Sequence, residues 1–142
     1  MGYSIGQVAK KTGLSVHTLR YYEKEGLLPF IRKTSSGLRV FSDDDINWLG
    51  MIECLKATGM PLKGIKQYID WYHQGDSTLS QRLAMFRQQE QNIKAKIQEL
   101  NTNLTKIQYK IRLYDAAVKQ GSLDKAQQEP EFRAARLRLF GH

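Results

Sequence analysis

The stretch Ser15-Val16-His17-Thr18-Leu19-Arg20-Tyr21-Tyr22-Glu23-Lys24-Glu25-Gly26-Leu27-Leu28 decides how this chain is read. Ser15 is a helix N-cap residue, able to take a backbone N–H of the first turn on its side-chain oxygen, and Gly26-Leu27-Leu28-Pro29 breaks the helix that it opens. Just upstream, Ser4-Ile5-Gly6-Gln7 has the serine-to-glutamine spacing of a capping box. Ile5, Val8 and Ala9 follow as an apolar stripe at helical spacing, and that first helix stops near Gly13. Two short helices therefore meet across a tight glycine turn. This is the outline of a helix-turn-helix, whose second helix enters the major groove and offers its N-terminal side chains to base edges.

Downstream, the apolar stretches Phe30-Ile31 and Leu38 to Phe41 flank Lys33-Thr34-Ser35-Ser36-Gly37, which predicts a β-hairpin with a polar, basic tip. Ser42-Asp43-Asp44-Asp45 places an N-cap and three carboxylates where the helix dipole favours them, opening a third helix through Ile46, Leu49, Ile52 and Leu55 to Gly59. Pro61 suits the first turn of a fourth helix containing Leu62, Ile65, Tyr68 and Ile69. A first domain over residues 1–75 is expected.

The 142-residue chain carries 22 Lys+Arg against 14 Asp+Glu, a formal charge of +8, which raises the expectation of a polyanionic partner. Its hydrophobic content of 41% and aromatic content of 10% support a globular core and exclude disorder for most of the chain. No apolar run approaches the roughly 18 residues of a membrane helix, so no membrane partner is expected and a cytoplasmic location is. Cys54 is the single cysteine and only three histidines are present, so neither a disulfide nor a zinc site is expected, and no other metal or cofactor is called for. No nucleophile has a histidine partner readable from spacing and no glycine loop cradles a phosphate, so an enzyme is not expected.

From Leu79 onward, Leu79, Leu83, Phe86, Ile93, Ile97, Leu100, Leu104, Ile107, Ile111, Tyr114 and Val118 recur in steps of four and three, with Glu90 the polar member of the register. Such a heptad, sustained over residues 76–120, predicts a helix roughly 60 Å long with no second long helix in the chain to cover its seam. Pairing with another subunit follows. For residues 121–142 the basic stretch Phe132-Arg133-Ala134-Ala135-Arg136-Leu137-Arg138-Leu139-Phe140 reads equally as a short helix or a mobile tail.

Ser4-Ile5-Gly6-Gln7-Val8-Ala9, Gly13-Leu14-Ser15, Thr18-Leu19-Arg20-Tyr21-Tyr22-Glu23, Gly26-Leu27-Leu28 and Arg39-Val40-Phe41-Ser42-Asp43-Asp44 together resemble the MerR-type transcriptional regulators. The resemblance implies a mainly α fold, a winged helix-turn-helix joined to an antiparallel coiled-coil dimerisation helix. It also implies a homodimer that holds double-stranded promoter DNA between over-spaced elements and bends and untwists it so that RNA polymerase engages both. Carried over by position, it places His17, Thr18 and Arg20 in or near the groove, Tyr21 and Tyr22 toward the phosphate backbone, and Arg32, Lys33 and Arg39 on the wing. One of the adjacent tyrosines suits the core, since helical neighbours point about 100° apart. The expected dimer contacts are Leu83, Phe86, Ile93, Ile97, Leu100, Leu104, Ile107 and Ile111. Two antiparallel coils of roughly 60 Å separate their N-terminal domains by close to two turns of DNA, about 70 Å, which predicts a pseudo-palindromic operator.

Two readings of the input remain open. In one, Cys54 is a sensor thiol modified by an aldehyde or other electrophile, as the lone cysteine of one branch of the family resembles; the plain alternative is a small core residue. On a helical wheel it shares a face with Asn47, Gly50 and Thr58 rather than with the apolar stripe. In the other, a small molecule binds noncovalently between the coil end of one subunit and the DNA-binding domain of the other, among Tyr68, Trp71, Tyr72, Tyr114, Phe132 and Phe140. An architectural DNA-binding protein without an effector is the rival class.

Overall fold

The computed structural model describes residues 2–29 and 31–142 and is mainly helical. In chain order it has α1 (Ile5–Thr12), α2 (Val16–Lys24), strands β1 (Arg32–Lys33) and β2 (Arg39–Val40), α3 (Asp43–Ala57), α4 (Leu62–His73), a 3-10 turn (Gly75–Thr78), α5 (Leu79–Gln120), α6 (Leu123–Gln128) and α7 (Pro130–Phe140). Phe30, read from the sequence as an apolar flank of the hairpin, lies outside the described residues. The chain forms two compact units, one ending at Gln91 and the next beginning at Asn92. Among the described residues no helix is long and apolar enough to cross a membrane.

In the first unit every cap expected at a serine is made. Ser4 and Gln7 exchange side-chain and backbone hydrogen bonds, as do Ser42 and Asp45, and the Thr18 N–H donates to the Ser15 hydroxyl. Each cap satisfies an N–H that the first helical turn leaves without an intrahelical partner. Gly13 ends α1 at a φ of 76°, a left-handed conformation that suits glycine and sets the short turn into α2. Pro61 stands at the N-cap of α4 with an extended ψ of 153°, just ahead of the first turn expected of it.

These short helices cannot bury an apolar face alone, so they converge on one core. Val8, Leu19, Tyr22, Leu27, Leu28, Phe41, Leu49, Ile52, Ile65 and Ile69 meet there, none more than 1% exposed. The hairpin is shifted from the sequence expectation: Arg32 pairs with Val40 and Lys33 with Arg39, so Lys33 belongs to a strand and the tip is shorter. Its turn closes through the Thr34 N–H to the Leu38 carbonyl at 2.7 Å, around Gly37 at a φ of 85°. Tyr3 and Phe41 exchange backbone hydrogen bonds of 2.7 and 2.8 Å, joining the chain start to the base of this wing.

In the second unit the ambiguous tail is helical. Tyr109, Leu113 and Ala117 of α5 form a core with Ala126, Phe132 and Ala135 of α6 and α7. The Tyr109 ring lies 6.2 Å from Phe132 and 5.7 Å from Phe140, both edge-on. The heptad stripe stays open: Leu83 is 50% exposed, Ile97 52%, Leu104 52%, Ile111 64% and Val118 80%.

Candidate nucleic-acid interface

Helix α2 has two faces. Leu19 and Tyr22 are buried, while His17, Arg20, Tyr21 and Lys24 are exposed and follow one another at i, i+3, i+4 and i+7, a single solvent-facing row. Thr18 is half-buried, and its hydroxyl accepts from the Ser15 hydroxyl at 2.9 Å, so it belongs partly to the cap. Lys24 completes the row and was not among the site residues expected; its separation of two turns from His17 was the available signal.

Tyr22 requires a correction. Expected beside Tyr21 toward a phosphate backbone, it is only 1% exposed, and its hydroxyl donates to Glu53 Oε1 at 2.8 Å. The Lys56 ammonium donates to the same hydroxyl at 3.2 Å and lies 5.7 Å from the ring centroid. Desolvation, followed by the hydrogen bond to Glu53, raises the phenol above its ordinary pKa, and the Tyr22 hydrogen bond raises Lys56. The 100° step between neighbours sends Tyr21 outward and Tyr22 inward, where it locks α2 to α3.

The wing supplies further cations. Arg32 and Lys33 are exposed, whereas Arg39 is half-buried and forms an ion pair with Glu23 of α2. Lys33 Nζ lies 3.9 Å from the other Glu23 oxygen. Glu23 therefore sets the wing against α2, and Arg39 acts more as a positioning residue than as an outward cation. Between them lies a cleft of about 340 Å³ whose lining includes Tyr3, Ser4, Arg20, Thr34, Leu38 and Arg39. Of the two guanidinium groups that line it, that of Arg39 is paired with Glu23, while that of Arg20 is exposed and has the shape that matches phosphate oxygens bidentately.

Cys54 is exposed in the last turn of α3, among exposed Asn47 and Gly50 and half-buried Thr58. The aromatic residues considered for a pocket divide into separate sets. Tyr68 and Tyr72 pack with Trp48, the last pair at 4.7 Å, and Tyr68 meets Phe86 at 5.1 Å. The Trp71 carbonyl accepts from the Thr78 hydroxyl at 2.6 Å. Phe132 and Phe140 are spent on the core of the second unit, and Tyr114 stands 53% exposed on the open stripe. Among the described residues no group of three or more His, Cys, Asp or Glu is placed to hold a metal ion.

Comparison with known proteins shows the family and the fold. Residues 3–70 match the family model described as MerR HTH family regulatory protein, and residues 46–109 match the one described as MerR, DNA binding. An uncharacterized HTH-type transcriptional regulator of Haemophilus influenzae is 42% identical over 87% of this chain and 91% of its own. The crystal structure of HiNmlR, a MerR family regulator lacking the sensor domain, bound to promoter DNA, matches at a TM-score of 0.73 and 42% identity, covering 88% of this chain and 99% of that one. A MerR family transcriptional regulator from Bacillus thuringiensis matches at a TM-score of 0.66 and 49% identity, covering 79% of this chain and 98% of that one.

Proposed function

The chain belongs to the MerR family of DNA-binding transcriptional regulators, and from that premise we propose that it is a cytoplasmic homodimer that switches a promoter by bending and untwisting its DNA for RNA polymerase. Residues 1–75 read the DNA, residues 76–120 pair the subunits and residues 121–142 brace the end of the long helix. The observation that carries this is the exposed row His17, Arg20, Tyr21 and Lys24 beside the cationic wing of Arg32 and Lys33. Side chains from the start of α2 reach base edges, while Tyr21, Lys24 and the wing take flanking phosphates. Where no side chain reaches the centre of the operator, the sequence there is read as deformability.

The input we propose is an electrophile, an aldehyde or a quinone, that adds to the Cys54 thiol. Exposure makes the thiol reachable, and its neighbour Glu53 holds the Tyr22 hydroxyl beneath the DNA-reading face. Run-off transcription from a promoter with an over-long spacer tests this. The wild type with added aldehyde is expected to raise transcription several-fold, and Cys54→Ser to occupy the same operator without responding. A full response by Cys54→Ser would move the input to a noncovalent ligand. No response from either protein would favour an effector-independent role.

A further inference from the structure

The start of α5 is fastened to the elements before it along one row. Thr78, at the end of the 3-10 turn, and Arg82, Met85 and Gln89 of α5 follow in steps of four, three and four, turned by about 100° from the open stripe of Leu79, Leu83 and Phe86. The buried Thr78 hydroxyl donates to the Trp71 carbonyl at 2.6 Å, the Arg82 guanidinium donates to the Gly75 carbonyl at 2.8 Å, and Met85 packs against the core of the first unit. Gln89 stands at the far end of this row. Its side-chain amide donates to the Thr58 carbonyl at 2.9 Å and to the Thr58 hydroxyl at 3.1 Å. Thr58 is the C-cap of α3, and its carbonyl belongs to the group that a helix end leaves without an intrahelical partner. The same end of α3 holds α2, since the Tyr22 hydroxyl bonds to Glu53 and Lys56 there. Helices α2 and α5 are therefore tied to one short segment, residues 53–58.

Place along the row decides what each anchor restrains. Gln89 lies eleven residues beyond Thr78, about 16 Å along the axis, whereas Met85 lies about 10 Å from it. Sideways play of a given size tilts a helix less at a far anchor than near its root, so within this row the Gln89 bonds limit the tilt of α5 most strongly. We propose that Gln89 is a positioning residue for operator recognition: through Thr58 it fixes the direction in which α5 leaves α3, and with it the half-site spacing that the dimer accepts. This rests on the homodimer reading above and names the side chain that holds its geometry. An amide suits the task, since its nitrogen donates two hydrogen bonds and carries no charge. Glutamate in its place sets a carboxylate against the Thr58 carbonyl, and methionine of similar length donates nothing.

Duplexes that carry two half-sites separated by spacers stepped one base pair at a time test this by equilibrium binding at a stated salt concentration. Each added base pair turns one half-site by about 35° around the DNA axis and moves it by about 3.4 Å, so a dimer of fixed geometry selects a narrow range. The wild type is expected to favour one spacing several-fold over its neighbours. Gln89→Met and Gln89→Glu are expected to flatten that preference several-fold or to move its optimum, and to bind a duplex with a single half-site as the wild type does. Thr58→Ser, which keeps the carbonyl and the hydroxyl, is expected to retain the wild-type profile. A profile that superimposes on the wild type in either Gln89 variant overturns the inference. Parallel loss of affinity for the half-site and for every spacing in both variants overturns it too, because Gln89 would then support the fold rather than a direction. A wild type with no preferred spacing overturns the operator reading itself, and this inference with it.

Discussion

Apolar residues at helical spacing meet opposite fates in the two parts of this molecule. In the first unit, Val8, Leu49, Ile52, Ile65 and Ile69 come from helices of 8 to 15 residues and are fully buried, because several short elements supply faces for one another. Along the 42-residue α5 an equally regular stripe stays half-exposed, while a weaker row on the same helix, Tyr109, Leu113 and Ala117, is the one covered by α6 and α7. Periodicity therefore identifies which face of a helix is apolar, and the neighbouring chain determines whether anything within the molecule covers it. In the first unit the core serves the fold; along α5 the strong stripe stays exposed in the single chain and the weak one holds the tail.

Substitutions that treat these faces differently sharpen the contrast. Phe41→Ala, at a fully buried position, is expected to destabilise the first unit by about 3–5 kcal/mol in denaturant unfolding, independently of protein concentration. Leu104→Ala, on the open stripe, is expected to act only through subunit association, so its effect vanishes on dilution; a concentration-independent loss comparable to Phe41→Ala would erase the distinction. Leu113→Ala, 4% exposed in the wild type, is expected to cost about 2–4 kcal/mol, read as faster hydrogen exchange over α6 and α7 with α1–α4 unchanged. Unaltered exchange in the tail would mean that this second core does not hold it.

Arg20→Ala tests the outer face of α2 against its inner one. It is expected to weaken operator binding by about 1–3 kcal/mol with folding and dimer intact, since Arg20 is exposed. Tyr22→Phe is the inward counterpart and the smallest effect, about 1 kcal/mol of folding stability from the lost hydroxyl bridge. The Tyr22 phenol and the Lys56 ammonium both hold their protons more tightly in the folded chain than at their ordinary values of 10.0 and 10.5. Groups of that kind stabilise fully below the unfolded pKa and lose their contribution as pH rises through the folded one. The wild-type advantage over Tyr22→Phe is therefore expected to stay level from about pH 6 to pH 9 and to shrink above the ordinary tyrosine value. An advantage that grows with pH would contradict the bridge.

Most of the fold was legible because it is written in local rules. Ser4, Ser15 and Ser42 each cap a helix, Gly13 sets the turn, and the stripe from Leu79 to Val118 lies along one helix. What escaped depends on neighbours remote in sequence. Which of Tyr21 and Tyr22 turns inward is decided by Glu53 and Lys56, some thirty residues on. The tail helix was ambiguous because its apolar residues are diluted by alanines and arginines, and the α5 surface that receives it includes an alanine and a tyrosine that a search for strong apolar repeats passes over. Lys24 was less legible because it lies at the far end of α2, two turns from His17, although it completes the exposed row. Arg39 was legible as a wing cation, but its ion pair with Glu23 was not, since the partner belongs to another element.

DNA reading by α2 and the wing is the claim on which the rest depends, and footprinting at a stated salt concentration tests it most directly. The purified chain would be titrated on promoter DNA from its own genome and on a scrambled duplex of the same composition, at about 150 mM salt so that nonspecific phosphate binding is suppressed. The expected result is a discrete, two-fold symmetric footprint on the promoter, its protected blocks about two helical turns apart, absent from the scrambled duplex and lost in Arg20→Ala. Equal affinity for both duplexes, without discrete protection, would contradict it.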